Sequence, residues 1–264
     1  MVETQSTRSI SASQLSLQGK TALVVGGSSG IGNAIAHGFQ DSGARVAIAA
    51  RTPAKVEAAT QRLQELDPTA RGYVIDAARP EEIDELVATA VTDFGHIDIL
   101  VACQGMTILK PAEEVTPAEY DEVMQTNLRS VFFTCTRFGR HMLELGNGSI
   151  ITIASLAAHR GWPLASIYAA SKHGVAGLTK TLAAEWADRG VRVNAISPGF
   201  FMTELNQSKM SSKRKENALL RTPMGRFGQL DELVGAAIYL ASPAAGFVTG
   251  TVLNVDGGYL ASGI

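Results

Sequence analysis

The stretch Thr21-Ala22-Leu23-Val24-Val25-Gly26-Gly27-Ser28-Ser29-Gly30-Ile31-Gly32 passes from an apolar run into a glycine cluster, and the pattern Ala34-Ile35-Ala36 to Phe39 that follows has helical periodicity. A strand, a turn and a helix start are expected. Glycine allows a tight turn and lets backbone N–H groups come close to a pyrophosphate at a helix N-terminus, where the helix dipole favours negative charge. Read alone, the cluster is equally an ordinary turn; its position after the first strand favours the phosphate-binding reading.

Outward from this segment, β-branched and apolar runs alternate with longer amphipathic ones. Thr21 to Val25, Arg45 to Ala50, Gly72 to Ile75, Ile97 to Ala102, Gly148 to Ala154, Val191 to Ser197 and Thr251 to Val255 read as strands. Continuous apolar strands separated by helix-length segments imply a parallel sheet covered on both faces. Right-handed crossovers make this a doubly wound α/β sheet, which binds ligands at the carboxyl ends of its strands. No internal repeat or composition shift marks a boundary, so one domain is expected over residues 18–264. Before it, Met1 to Leu17 is rich in Ser, Thr and Gln without apolar periodicity, which reads as a flexible tail.

The chain of 264 residues is 45% hydrophobic and 18% charged, a globular composition that excludes a disordered or fibrous protein. Its formal net charge of -2 offers no global attraction to nucleic acid or to anionic membranes, so neither is an expected partner. No run approaches the roughly 18 apolar residues of a membrane span, and the N-terminus carries no apolar signal core. A cytoplasmic location is expected. Cys103 and Cys135, the two cysteines, are too few for a metal cluster or a disulfide framework; both are expected reduced and buried, and no metal is expected.

The second strand, ending Ala49-Ala50, lacks a terminal Asp or Glu to hold the ribose 2′-hydroxyl of NAD; Arg51 follows instead. A guanidinium there meets a 2′-phosphate with charge-assisted bonds, which favours NADP(H) over NAD(H). The alternative is a solvated surface arginine. Asp76, at the end of the third strand, either accepts a bond from an adenine amino group or caps the turn before Pro80.

Tyr168 and Lys172 are four residues apart in a segment of helical propensity, which puts them on one helix face. A free tyrosine, with a pKa of about 10, is phenolate in roughly one molecule in a thousand at pH 7; a neighbouring ammonium favours the phenolate and suits the residue to general acid–base work. By itself the pair is also an ordinary helix face. Ser155, just beyond the strand Ile150-Ile151-Thr152-Ile153, adds a hydroxyl able to hold a substrate oxygen. Asn127 interrupts a long amphipathic helix with a poor helix former, which suggests a water-binding kink.

Together, the glycine loop, Asn127, Ser155, Tyr168 and Lys172 resemble the short-chain dehydrogenase/reductase family over about Leu17 to Tyr259. The resemblance implies a Rossmann fold with seven parallel strands in the order 3-2-1-4-5-6-7. It implies Tyr168 as acid/base, Ser155 orienting the carbonyl, Lys172 binding the nicotinamide ribose and lowering the Tyr168 pKa, and Asn127 holding a proton-relay water. Gly26, Ser28, Ser29, Gly30, Ile31 and Gly32 become the phosphate loop. Gly105 ends the fourth-strand motif, while Pro198, Gly199 and Thr203 match the segment that contacts the nicotinamide carboxamide and pyrophosphate. Pro223-Met224-Gly225-Arg226 and Asp256-Gly257-Gly258 complete the pattern, and a homotetramer or homodimer is implied. Two departures stand out: Val25 replaces the usual Thr, and Ala102-Cys103-Gln104-Gly105 replaces Asn-Asn-Ala-Gly. Cys103 reads either as a buried small residue or as an oxidation-sensitive switch.

Phe200 to Thr222 is expected to form a substrate lid, whose Lys209, Lys213, Arg214 and Lys215 read either as a solvated helix face or as an attractor for anions. His159, Arg160 and Trp162 are expected nearer the pocket. The chain resembles the branch holding gluconate 5-dehydrogenases, polyol reductases and 3-oxoacyl-carrier-protein reductases, which implies a small carbonyl or alcohol substrate. A sugar, sugar acid or polyol is expected, with a 3-oxoacyl thioester as the alternative; Met106-Thr107-Ile108-Leu109 stands where gluconate-acting relatives carry arginines. A module that senses NADP(H) without turnover is the reading from another class.

Overall fold

The structure, a computed structural model, describes residues 12–203 and 210–262. Its sheet has seven strands: β1 Thr21–Val25, β2 Arg45–Ala50, β3 Arg71–Val74, β4 Ile99–Ala102, β5 Gly148–Ile153, β6 Val191–Pro198 and β7 Val252–Val255. All pairings are parallel and the order is β3-β2-β1-β4-β5-β6-β7, as expected. Strand ends differ from the sequence expectation by one or two residues, the usual scatter where pairing frays. The largest shift is at β4, which begins at Ile99; the Asp98 carboxylate just before it accepts the Thr21 backbone N–H at 2.9 Å.

Alternation along β1 splits the core in two. Ala22 and Val24 face α1 (Gly30–Asp41), α2 (Pro53–Gln64) and a late helix, Leu230–Ala241. Leu23 and Val25 face α3 (Pro80–Phe94) and two long helices, Ser130–Leu145 and Ser166–Trp186. Each face thus has its own apolar layer, which is what makes near-continuous apolar strands stable in the middle of the fold. The helices between are α4 (Pro117–Met124), α5 (Ser130–Leu145), α6 (Ser166–Trp186), α7 (Ser212–Leu220) and α8 (Leu230–Ala241). Residues Gln125–Arg129 join α4 to α5 as one π turn, and the expected kink at Asn127 falls inside it.

The expected tail reaches too far. Leu17 has no exposed surface, packs into the α1-side core and donates its N–H to the Ser42 carbonyl at 2.9 Å. Burying such a side chain stabilises the fold by about 2 kcal/mol. Ala12–Leu15 forms a 3-10 turn before it, and residues 1–11 lie outside the described residues.

At the amino ends of the strands, Asp98 collects Lys20 at 3.2 Å, His96 at 3.2 Å and Asn147 at 3.2 Å. Burial pushes its carboxyl up, but the Thr21 N–H, Lys20 and His96 more than offset this and hold it below the ordinary range. The other end of the sheet is left for the cleft.

Candidate active site

A cleft of about 500 Å³ runs across the carboxyl ends of the strands. At one end lie Gly26, Ser28, Ser29, Gly30, Ile31 and Gly32, and beyond them Arg51 and Thr52. Gly26 holds φ +84°, and a Cβ there would come within 2.9 Å of the Cys103 carbonyl carbon and the Gln104 nitrogen. At Gly32 a Cβ would collide with the Gly26 carbonyl. Only glycine closes this turn, and it brings the N-terminus of α1 to the cleft. That terminus has no side-chain cap from Ser29 and no acidic residue in its first turn, so its N–H groups remain directed at an anion.

Among the described residues lining the cleft there is no Asp or Glu, while Arg51, Lys172 and Arg214 all reach it. A dinucleotide with several phosphates fits this charge pattern. Asp76 borders an adjoining depression of about 150 Å³, shared with Gly26, Arg51 and Gln104. Its Oδ1 accepts the Ala78 N–H at 3.1 Å, so it caps the turn while facing that depression. Gly105, Pro198, Gly199 and Thr203 line the main cleft.

At the other end stand Ser155, Tyr168 and Lys172. Ser155 follows β5, and its Oγ accepts the Ala157 N–H at 3.1 Å, which fixes the hydroxyl at the strand end. Tyr168 sits in the first turn of α6 and Lys172 one turn later. Lys172 is buried and donates to the Ile153 carbonyl at 2.7 Å, so β5 and α6 are joined at the site. Asn127 is fully buried and does not line the cleft. Its Oδ1 accepts the Met106 N–H at 2.7 Å, and its Nδ2 donates to the Met106 carbonyl at 2.9 Å and to Ser171 Oγ at 3.1 Å. Ser171 Oγ in turn donates to the Tyr168 carbonyl at 2.7 Å. The link from Asn127 to Met106 and Ser171 has no signal in the sequence, since neither residue type points to it until the fold brings them to Asn127.

The expected lowering of the Tyr168 pKa by Lys172 is not what this geometry gives. Burial pushes the Tyr168 phenol up, the hydrogen-bonding Ser155 hydroxyl draws it partly back, and Lys172 makes no resolved contribution. The ammonium lies 5.8 Å from the ring centroid and is turned toward Ile153. Burial likewise pushes Lys172 down to about 8. Cys103 is pushed up to about 11 by burial, far from the thiolate that an oxidation switch requires. Its N–H continues the strand pairing to the Val25 carbonyl at 2.9 Å.

Two expectations about the substrate end are corrected. His159 is exposed and absent from the cleft lining, because the chain turns outward after the 3-10 turn Leu156–Ala158. Arg160 is also exposed and reaches Ser262, at 3.4 Å from the carbonyl. Trp162 does line the cleft, set in an aromatic group with Phe200 at 5.7 Å and Tyr259 at 6.0 Å between centroids. Among the expected lid cations, Lys209 lies outside the described residues, Lys213 is exposed, and Arg214 faces the cleft.

A family model described as enoyl-(acyl carrier protein) reductase matches residues 25–260. The chain belongs to the short-chain dehydrogenase/reductase family. This short-chain dehydrogenase/reductase is 42% identical over 247 residues to a 2-dehydro-3-deoxy-D-gluconate 5-dehydrogenase of Bacillus subtilis (strain 168), covering 93% of the chain and 96% of that relative. It is 41% identical over 243 residues to a D-threitol dehydrogenase of Mycolicibacterium smegmatis, covering 92% and 94%. A solved gluconate 5-dehydrogenase of Burkholderia cenocepacia J2315, in complex with NADP and tartrate, superposes with a TM-score of 0.91 at 36% identity, over 95% of this chain and 98% of that one. The protein is thus an NAD(P)-dependent oxidoreductase of the family, acting on CH–OH groups.

Proposed function

We propose that this dehydrogenase/reductase interconverts a carbonyl and a secondary alcohol on a small hydroxylated substrate, with NADP(H) preferred to NAD(H). The observation that carries the reading is the convergence of Ser155, Tyr168 and Lys172 on one cleft with the uncapped α1 N-terminus and Arg51. When bound, the nicotinamide dinucleotide supplies or takes up the hydride. Gly26 to Gly32 would hold its pyrophosphate, Arg51 and Thr52 its 2′-phosphate, and Asp76 would stand on the adenine side. Gly105, Pro198, Gly199 and Thr203 flank its nicotinamide half, and Lys172 binds the adjoining ribose.

Ser155 Oγ donates to the substrate carbonyl and orients it beside Tyr168. A half-buried phenol whose pKa is raised by desolvation is protonated at neutral pH, so Tyr168 Oη is poised to give its proton to the oxygen as the carbonyl is reduced. In the reverse direction the same oxygen takes the alcohol proton. Asn127 acts through Met106 and Ser171, holding the loop after β4 and the first turns of α6 in register around that oxygen.

The names of the relatives favour a sugar acid, sugar or polyol. The apolar side chains of Met106, Leu109 and Leu156 in the cleft favour a second reading, a 3-oxoacyl thioester. A spectrophotometric screen of aldonates, polyols, sugars and acetoacetyl thioesters, each with NADP(H) and NAD(H), tests the proposal. The expected result is turnover of a hydroxylated substrate with NADP(H) favoured. Preference for NAD(H) would remove the role given to Arg51, and tight NADPH binding without turnover of any carbonyl would make the protein a sensor.

A further inference from the structure

The cations of the cleft do not all have work in the reading above. Arg51 stands at the end of β2 with the adenosine half, and Lys172 is fixed to the Ile153 carbonyl. Arg214 remains. It lies in the first turn of α7, is half-buried, and lines the cleft. Among the described residues its side chain has no ion pair and no hydrogen bond; only its backbone N–H is engaged, with Ser211 Oγ at 3.3 Å. Arg226 is paired with Glu232 and Arg137 with Asp84, whereas Arg214 has no such carboxylate among the described residues. A guanidinium withdrawn from water, beside a cleft with no described carboxylate, is completed by an anionic ligand.

We propose that Arg214 is the specificity-determining residue that binds a carboxylate on the substrate. The proposal rests on the oxidoreductase reading and narrows its substrate class to hydroxy or oxo acids. Charge is otherwise missing where such a group needs it: Met106, Thr107 and Leu109 supply none from the loop after β4. Trp162 and Phe200, in contact with each other, give the opposite requirement, an apolar wall on which the C–H face of a short polyhydroxylated chain rests. The phosphates of the dinucleotide already have the α1 N-terminus and Arg51. A planar fork of donors matches a carboxylate in two parallel bonds, which a lysine cannot reproduce.

Matched substrates test this: D-gluconate and D-glucitol, which differ at one end by carboxylate against hydroxymethyl, assayed with NADP+ in the parent, Arg214→Gln and Arg214→Lys. In parallel, D-tartrate and NADPH are titrated calorimetrically into each protein, tartrate with NADP+ present. The expected result is a parent preference for gluconate that falls roughly 10- to 100-fold in Arg214→Gln, carried by KM rather than kcat, with partial recovery in Arg214→Lys. Tartrate affinity falls alongside while NADPH affinity holds within about 3-fold. Weakening of NADPH by the same factor would assign the guanidinium to the cofactor phosphates, and equal use of both substrates by the parent would overturn the carboxylate. If neither substrate turns over, the hydroxy-acid substrate of the proposed function fails on its own; tartrate binding that depends on Arg214 still upholds the anion site, and binding that does not depend on it overturns it.

Discussion

Asn127 grips the main chain of Met106 from both sides, accepting its N–H at 2.7 Å and donating to its carbonyl at 2.9 Å. The residue sits in a π turn where an extra residue per turn swings its side chain out of the helix surface and toward the loop after β4. Replacing Asn127 with Ala leaves both Met106 groups and Ser171 Oγ short of a partner. Denaturant unfolding is expected to show a loss of about 2–3 kcal/mol, with kcat/KM reduced at least about 10-fold as the loop and α6 lose register. Asn127→Asp keeps the acceptor for the Met106 N–H but sets a buried carboxylate against the Met106 carbonyl, so it is expected to cost at least as much as Asn127→Ala at neutral pH.

Lys172 gives the free protein a pH signature. Burial lowers its pKa to about 8 from 10.5, so between those values the unfolded chain holds a proton that the folded one has released. Raising the pH through that window therefore favours folding, by about 3 kcal/mol in total; below about pH 8 both states are protonated and the folded state bears the whole cost of a buried ammonium. Compared with Lys172→Met, the parent should gain stability as pH rises from 8 to 10. A difference between the two that stays flat across this range would show that the ammonium is not desolvated as described.

The proposed preference for NADP(H) rests on Arg51. Arg51→Ala should weaken NADPH binding roughly 10- to 100-fold, the range of a lost charge-assisted contact to phosphate, and leave NADH nearly unchanged. Fluorescence titration of both nucleotides measures this directly. Equal weakening of both would mean that Arg51 supports the loop rather than the 2′-phosphate.

The parallel sheet and the cleft at its carboxyl ends were legible in the sequence because they depend on local signals: apolar runs of strand length, a glycine turn after the first of them, and Tyr168 four residues before Lys172 on one helix; the order of the strands came from the family resemblance. Features set by tertiary contact were not. Leu17 looks like part of a polar tail because its burial comes from the α1-side core, a distant part of the chain. His159 sits between Ser155 and Tyr168 in sequence, yet the chain turns it outward. Arg214 is one cation among several in a charged segment, and only the fold distinguishes it from Lys213. Spacing likewise puts Lys172 near Tyr168 but says nothing of the Ile153 carbonyl that takes its ammonium or of the burial that dominates both groups.

The central claim is that the Tyr168 hydroxyl moves the proton. Tyr168→Phe removes one oxygen and leaves the ring, the helix and the Lys172 bond to Ile153 in place. With the best carbonyl substrate of the screen, NADPH oxidation by this variant should fall by about 10²- to 10⁴-fold, the range for loss of a general acid, while its NADPH affinity stays within about 3-fold of the parent. Turnover at or near the parent rate, with cofactor still bound, would contradict the account.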